Sequence, residues 1–274
     1  MRIVVGIDGE PASRTALDWV VAQPFAADAA LTLVTSFDLL VSDVEQDAAR
    51  LESEAARVRG SLPGGSVATA LADGSIPEVL RRWAEDADLL VIGSRATTLR
   101  REALTGSLAE RLAAVASVPV VVVPERFDAH PGDVVAGVAE DDSSDDAVEF
   151  AARLAEAQGL PLRLVHVWDR TPPATDPVSL YLSVPESQRE AHEAHLRAVV
   201  DRVAAAHPGL ELVGQLQEGR PPSAFQAPGR GIALLVIGTH RRGPIAAWVL
   251  GSVARALLAD GGEAVCVVPP GSLG

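Results

Sequence analysis

The chain has 274 residues, 48% of them apolar, with a formal net charge of −14 and a pI near 4.8. That length fits one large or two ordinary domains of about 100–200 residues each, and the acidic balance disfavours nucleic-acid binding through a broad basic surface. All 23 basic residues are arginine, which excludes the lysine chemistry of P-loops, protein kinases and Schiff bases.

In chain order, residues 2–7 read as a strand ending at Asp8 and Gly9. This start lacks the regions of a signal peptide, and no apolar run reaches the roughly 18–20 residues of a membrane span, so a cytoplasmic protein with no membrane partner is expected. Residues 11–23 carry Ala16, Leu17, Val20 and Val21 at helical spacing. A strand at 31–37 follows, then Ser42 and Glu45 at capping-box spacing, opening a charged helix to about Arg59. A weak strand at 67–71 leads through Gly74 to a second such pair, Ser75 and Glu78, and a helix through Trp83. The apolar run 89–92 then enters Gly93, a loop bearing Arg95, Arg100 and Arg101, a helix start at Gly106 and Ser107, and the apolar strand 120–123. Apolar, unalternated strands interleaved with helices predict a parallel sheet covered on both faces.

Residues 127–133, within a polar and proline-rich stretch, read as a linker. The pattern then restarts. Gly6 recurs as Gly137, 131 residues on, whereas Gly74, Gly93 and Gly106 recur as Gly219, Gly238 and Gly251, 145 residues on. The 14-residue difference places an insertion near 168–186, rich in proline and aspartate, that reads as a surface loop or lid. The expected fold is therefore α/β, with two tandem open, Rossmann-like parallel-sheet domains of five strands each, at 1–126 and 134–274.

A glycine turn at a strand end followed by a helix start suits an anion, because the first helical N–H groups lack partners and the macrodipole is positive there. Such turns are common singly; two copies at one spacing are a stronger signal. Arginines beside both loops, with His240, Arg241 and Arg242 in the second, favour an anionic ligand in an acidic protein. His192 and His195 form HEAH rather than HExxH, lack i, i+4 metal geometry, and are expected to face solvent. The acidic run 140–146 reads as a helix start that would repel a polyphosphate. Cys266, in an apolar strand, reads as a small buried hydrophobe.

The spacings G-x2-A-x9-G-S and G-x2-R-x9-G-S, with the opening VVGIDGEPASRTAL and the endings VPVVVVP and EAVCVVPP, resemble the universal stress protein family. Its ATP-binding members carry G-x2-G-x9-G-S/T, and the resemblance covers nearly the whole chain as two copies. It implies a stress-response or regulatory protein binding an adenine nucleotide, ATP, mainly in the first domain, with Mg²⁺ as a bridging cation where no lysine is available. On that resemblance Asp8 falls at the nucleoside, Ser36 at the adenine, and Gly93, Ala96, Gly106, Ser107 and Leu108 at ribose and phosphates, flanked by Arg95. The second copy offers Ala139, Val167, Gly238, Arg241, Gly251 and Ser252. Ala96 and Arg241 stand where the middle glycine is expected and Ala139 where the aspartate is, which favours the first site and raises a nucleotide-free scaffold as the alternative. No nucleophile or general base is identified, so any ATP hydrolysis is expected to be slow and incidental. By the same resemblance, strands 120–123 and 265–268 are expected to pair edge to edge within the molecule, with a homodimer and a protein partner left open.

Overall fold

The computed structural model describes residues 1–37, 43–95, 107–127, 132–168, 185–219, 225, 231–239 and 250–273. The first half runs β1 (Arg2–Gly6), α1 (Pro11–Ala22), β2 (Ala30–Phe37), α2 (Val44–Arg59), β3 (Ser66–Asp73), α3 (Ile76–Ala84), β4 (Leu89–Ser94), α4 (Leu108–Val115) and β5 (Val120–Pro124). The second runs β6 (Gly132–Val138), α5 (Asp145–Gln158), β7 (Leu162–Trp168), α6 (Pro185–Ala206), β8 (Leu212–Glu218), β9 (Gly231–Gly238), α7 (Ser252–Asp260) and β10 (Val265–Val268). β6 begins inside the stretch read as a linker. Residues 169–184 of the insertion lie outside the described residues, and Pro185 and Glu186 already belong to α6.

Two helix starts differ from the capping expected. Asp43, rather than Ser42, caps α2 and accepts from the Gln46 N–H at 3.1 Å. Ser75 occupies the N-cap of α3, yet its hydroxyl donates to Glu78 Oε2 at 2.6 Å instead of accepting from the backbone. The Asp43 carboxylate accepts the helix N–H in the first case, Ser42 lying outside the described residues, and in the second the Glu78 carboxylate draws the Ser75 hydroxyl away from the backbone.

The strands form one sheet in the order β3-β2-β1-β4-β5-β10-β9-β6-β7-β8. Every neighbouring pair is parallel except β5 and β10, which join the two five-stranded halves antiparallel with Val121 opposite Cys266. The intramolecular edge pairing expected from the sequence is thus present. Its physical basis is that both strands are buried along their length, and an apolar edge left open would pair with another chain. One face of the sheet carries α1, α2, α5 and α6 on a core that includes Leu17, Leu33, Leu51, Leu154 and Leu196. The other carries α3, α4 and α7 around Leu80, Leu90, Leu112 and Leu257. Both cores are continuous across the halves, and Gln158 Nε2 donates to Gln23 Oε1 at 2.9 Å between them.

Strand order decides where a ligand can lie. The chain moves outward from β1 to β2 and β3, then crosses back to β4 on the other side of β1. Adjacent connections leave β1 and β4 in opposite directions, and the crevice between them opens at the carboxyl ends of the strands. The second half repeats this between β6 and β9.

Candidate functional site

A cavity of about 260 Å³ occupies that crevice in the first half. Gly6 at the end of β1, Ile7 and Asp8 just beyond it, Val34 to Ser36 on β2, and Ile92 and Gly93 on β4 form its floor. Ser13, Asp47, Ile76, Leu80 and Leu108 close its sides. It therefore gathers Asp8, Ser36, Gly93 and Leu108 of the residues singled out in the sequence. Asp47, Thr35 and Ser13 were not singled out.

Asp8 is set by its own loop. Its Oδ1 accepts from the Glu10 N–H at 2.9 Å, its N–H donates to Ser13 Oγ at 3.4 Å, and the Ser13 hydroxyl donates to the Glu10 carbonyl at 2.9 Å. Ala139 in the second half uses the same device, its N–H donating to Ser144 Oγ at 3.0 Å. A serine five residues after the strand-end position in both copies was the sequence signal for this. Gly93 has a packing reason of its own: a Cβ there would sit 2.2 Å from the Ala12 carbonyl, and one at Gly238 would sit 2.5 Å from the Ser143 carbonyl. Close approach of a helix start to the strand end already demands glycine at both positions.

The α4 N-terminus is capped from within. Ser107 Oγ accepts from the Glu110 N–H at 3.2 Å, and Glu110 Oε2 accepts from the Ser107 N–H at 2.8 Å, a reciprocal capping box. The Ser107 N–H, expected to be free for a phosphate, is thus engaged, while its hydroxyl proton and the N–H groups of Leu108 and Ala109 have no intrahelical acceptor. Arg95 does not line the cavity; its guanidinium pairs with Glu10 Oε2 at 3.3 Å. Such an exposed pair is weak, about 0–1 kcal/mol. Ala96, Arg100, Arg101 and Gly106 lie outside the described residues.

The second half holds a cavity of about 220 Å³ lined by Ala139, Val167, Gly238, Gly251 and Ser252, together with Val165, Phe225, Ile237 and Val253. Among the described residues its lining carries no carboxylate. Phe225 stands 145 residues beyond Leu80, the corresponding wall of the first cavity. Helix α7 has Gly251 at its N-cap, with no side-chain cap and no acid in its first turn. His240, Arg241 and Arg242 lie outside the described residues.

His192 and His195 do not face solvent as expected; both are half-buried against His166. His166, 1% exposed, bonds the Val138 carbonyl through Nδ1 at 2.8 Å and His192 Nδ1 through Nε2 at 2.9 Å. His195 Nε2 meets the Ala139 carbonyl at 2.8 Å. A carbonyl can only accept, so His166 carries its proton on Nδ1 and accepts from His192. Burial holds the His166 imidazole below its ordinary pKa, with His192 and His195 adding to the effect. Among the described residues no group of three or more His, Cys, Asp or Glu could hold a metal ion. The acidic run opens α5 as expected, and among its members Asp141 accepts from the Ser143 N–H at 3.2 Å, Asp145 pairs with Arg202 at 2.6 Å, and Asp146 accepts from the Gly271 N–H at 2.6 Å.

A family model described as the universal stress protein family matches residues 1–124 and 132–269. Universal stress protein Rv1996 of Mycobacterium tuberculosis is 24% identical over 97% of this chain and 94% of its own. The crystal structure of a universal stress protein from Archaeoglobus fulgidus covers 98% of both chains at 17% identity, with a TM-score of 0.70. Shorter solved relatives include a universal stress protein in complex with cAMP, 24% identical over 46% of this chain and 97% of its own, TM-score 0.38. Another, from Arabidopsis thaliana, has AMP bound; it is 15% identical over 45% of this chain and 91% of its own, TM-score 0.36. No helix among the described residues is long and apolar enough to cross a membrane.

Proposed function

We propose, for a chain that belongs to the universal stress protein family, that it binds an adenine nucleotide, ATP, in the first cavity. The observation that carries this reading is the coincidence of Asp8, Ser36, Gly93 and Leu108 in one crevice at the point where strand order reverses. A volume of about 260 Å³ is at the small end for a ligand pocket, roughly 300–1,000 Å³, so it suits the base and sugar. The phosphates then lie toward α4, where the macrodipole and the Leu108 and Ala109 N–H groups favour negative charge. Residues facing the ligand present acceptors and hydroxyls and no ammonium group; Mg²⁺ would supply the missing countercharge when ATP is bound. The second cavity, without the aspartate, is the weaker site in this reading.

Calorimetric titration of ATP, AMP and adenosine into the full chain, paired with thermal unfolding, tests it. Ligand at a hundredfold excess over its Kd should stabilise by about 2.7 kcal/mol, and Asp8→Ala should weaken the first site selectively. No heat and no shift at millimolar ATP would overturn the reading in favour of a nucleotide-free scaffold.

A further inference from the structure

We propose that Asp47 selects the base of the nucleoside in the first cavity by accepting a hydrogen bond from an exocyclic amine, and that Arg50, laid across Gly9, positions it. This rests on the adenine-nucleotide reading above.

The cavity is polar in the sense of having two unlike ends. Gly93 on β4 and Leu108 at the start of α4 lie at the electropositive end. Ser36 on β2 and Asp47 on α2 lie at the other, two strand spacings or about 10 Å away. A phosphate is drawn to α4 and repelled by the Asp47 carboxylate, so the base is turned toward Asp47. An ionised carboxylate is acceptor-only. It satisfies a 6-amino purine, whereas a 6-oxo purine sets its carbonyl lone pairs against those of the carboxylate.

Asp47 is held for that task. Arg50 Nη1 donates to Asp47 Oδ1 at 3.1 Å, and the Asp47 side chain is only 18% exposed. The stem of Arg50 lies on the loop after β1, where a Cβ at residue 9 would come within 2.6 Å of Arg50 Cδ, and Gly9 has a φ of +81°. Only glycine meets both demands. One Asp47 oxygen is therefore tied down by a cation that the loop itself accommodates, and the other, with no hydrogen-bond partner among the described residues, is left for a ligand in the cavity that Asp47 lines.

The second half lacks all three of these residues. The positions matching Gly9, Asp47 and Arg50 are Glu140, His192 and His195. The match is anchored by Leu51 with Leu196 and Val58 with Val203, buried pairs on α2 and α6. In place of the arm stands the histidine cluster on His166, and Ala139 has replaced Asp8 in the same crevice. The acceptor, its anchor and the glycine that admits the anchor have all changed together.

Adenosine and inosine titrated into the full chain discriminate the proposal. Wild type should prefer adenosine by at least about tenfold. Asp47→Asn, whose amide donates as well as accepts, should bring that ratio toward one, and Arg50→Gln should narrow it. Asp88→Asn, removing a charge beside Arg2 at the opposite end of β1, should leave it unchanged. An unaltered ratio in Asp47→Asn, in protein folded by circular dichroism, overturns the assignment. So does an equal loss of both nucleosides, which is the mark of a purely structural residue. Failure of wild type to bind adenosine or ATP at all is a distinct result: it refutes the nucleotide reading and this inference with it.

Discussion

Val121 of β5 and Cys266 of β10 face each other across the antiparallel pair at the centre of the sheet, and they are one position of two sequence copies, 145 residues apart. Val120 and Val122 likewise face Val267 and Val265, their own counterparts crossed over. A local twofold axis therefore passes between Val121 and Cys266 and relates the two halves. Antiparallel pairing follows, because a twofold axis perpendicular to a sheet reverses strand direction.

This seam should be intolerant of charge. Val121 and Cys266 are fully buried, and an unpaired carboxylate there costs several kcal/mol or forces protonation. Val121→Asp and Cys266→Asp should each lower the urea midpoint by the equivalent of more than about 4 kcal/mol. Val213→Asp, on the edge strand β8 and 51% exposed, should change stability by less than about 0.5 kcal/mol.

The same burial governs thiol chemistry. Desolvation pushes the Cys266 pKa well above its ordinary value, and only the thiolate reacts. Ellman's reagent should leave native protein unlabelled over minutes and modify it fully in denaturant. Rapid native labelling would show that the seam opens freely.

Two histidines should shape the pH dependence of stability from opposite sides. His166 is held below the ordinary value by burial, so below about pH 6.5 the unfolded chain binds protons that the folded chain refuses, and stability falls with falling pH. Its surroundings are His192 and His195 on α6, the Val138 carbonyl and Glu140. His207 is raised, chiefly by its hydrogen bond to Glu156 at 2.8 Å and then by Glu149. Its contribution is complete below about pH 6.5 and is lost as pH climbs through the raised folded value. Urea midpoints between pH 5 and 8 should lose only the acid limb in His166→Gln and only the alkaline limb in His207→Gln. Parallel profiles for variant and wild type would contradict these roles.

The capping box on α4 makes a paired prediction. Ser107→Ala should cost about 1 kcal/mol of stability. Glu110→Gln keeps the shape of the cap while removing a charge from the helix start, so it should strengthen ATP binding several-fold and leave adenosine unaffected. Equal effects on both ligands would place the phosphates elsewhere.

Glycine substitutions separate packing from ligand contact. Gly93→Ala and Gly238→Ala must drive a backbone carbonyl aside and should destabilise by at least about 1–3 kcal/mol without any ligand present. Gly60→Ala, with right-handed φ of −68° and nothing near its missing Cβ, should be neutral or stabilising by up to about 1 kcal/mol. Chemical unfolding of ligand-free protein measures all three.

The amino-acid order by itself determined the element types, their alternation, the duplication and the strand-end glycines, because hydrophobic period and turn chemistry are local properties read over a few residues. The resemblance to the universal stress protein family, carried over position by position, singled out Asp8, Ser36, Gly93 and Leu108, which line one cavity. Other features were decided only in three dimensions. Asp47 reaches the first cavity from a helix 39 residues beyond Asp8, and His192 and His195 turn inward onto His166. Each depends on which face of a helix the sheet register turns inward and on what stands opposite. No window along the chain contains that information, because the partners meet only when the strands align.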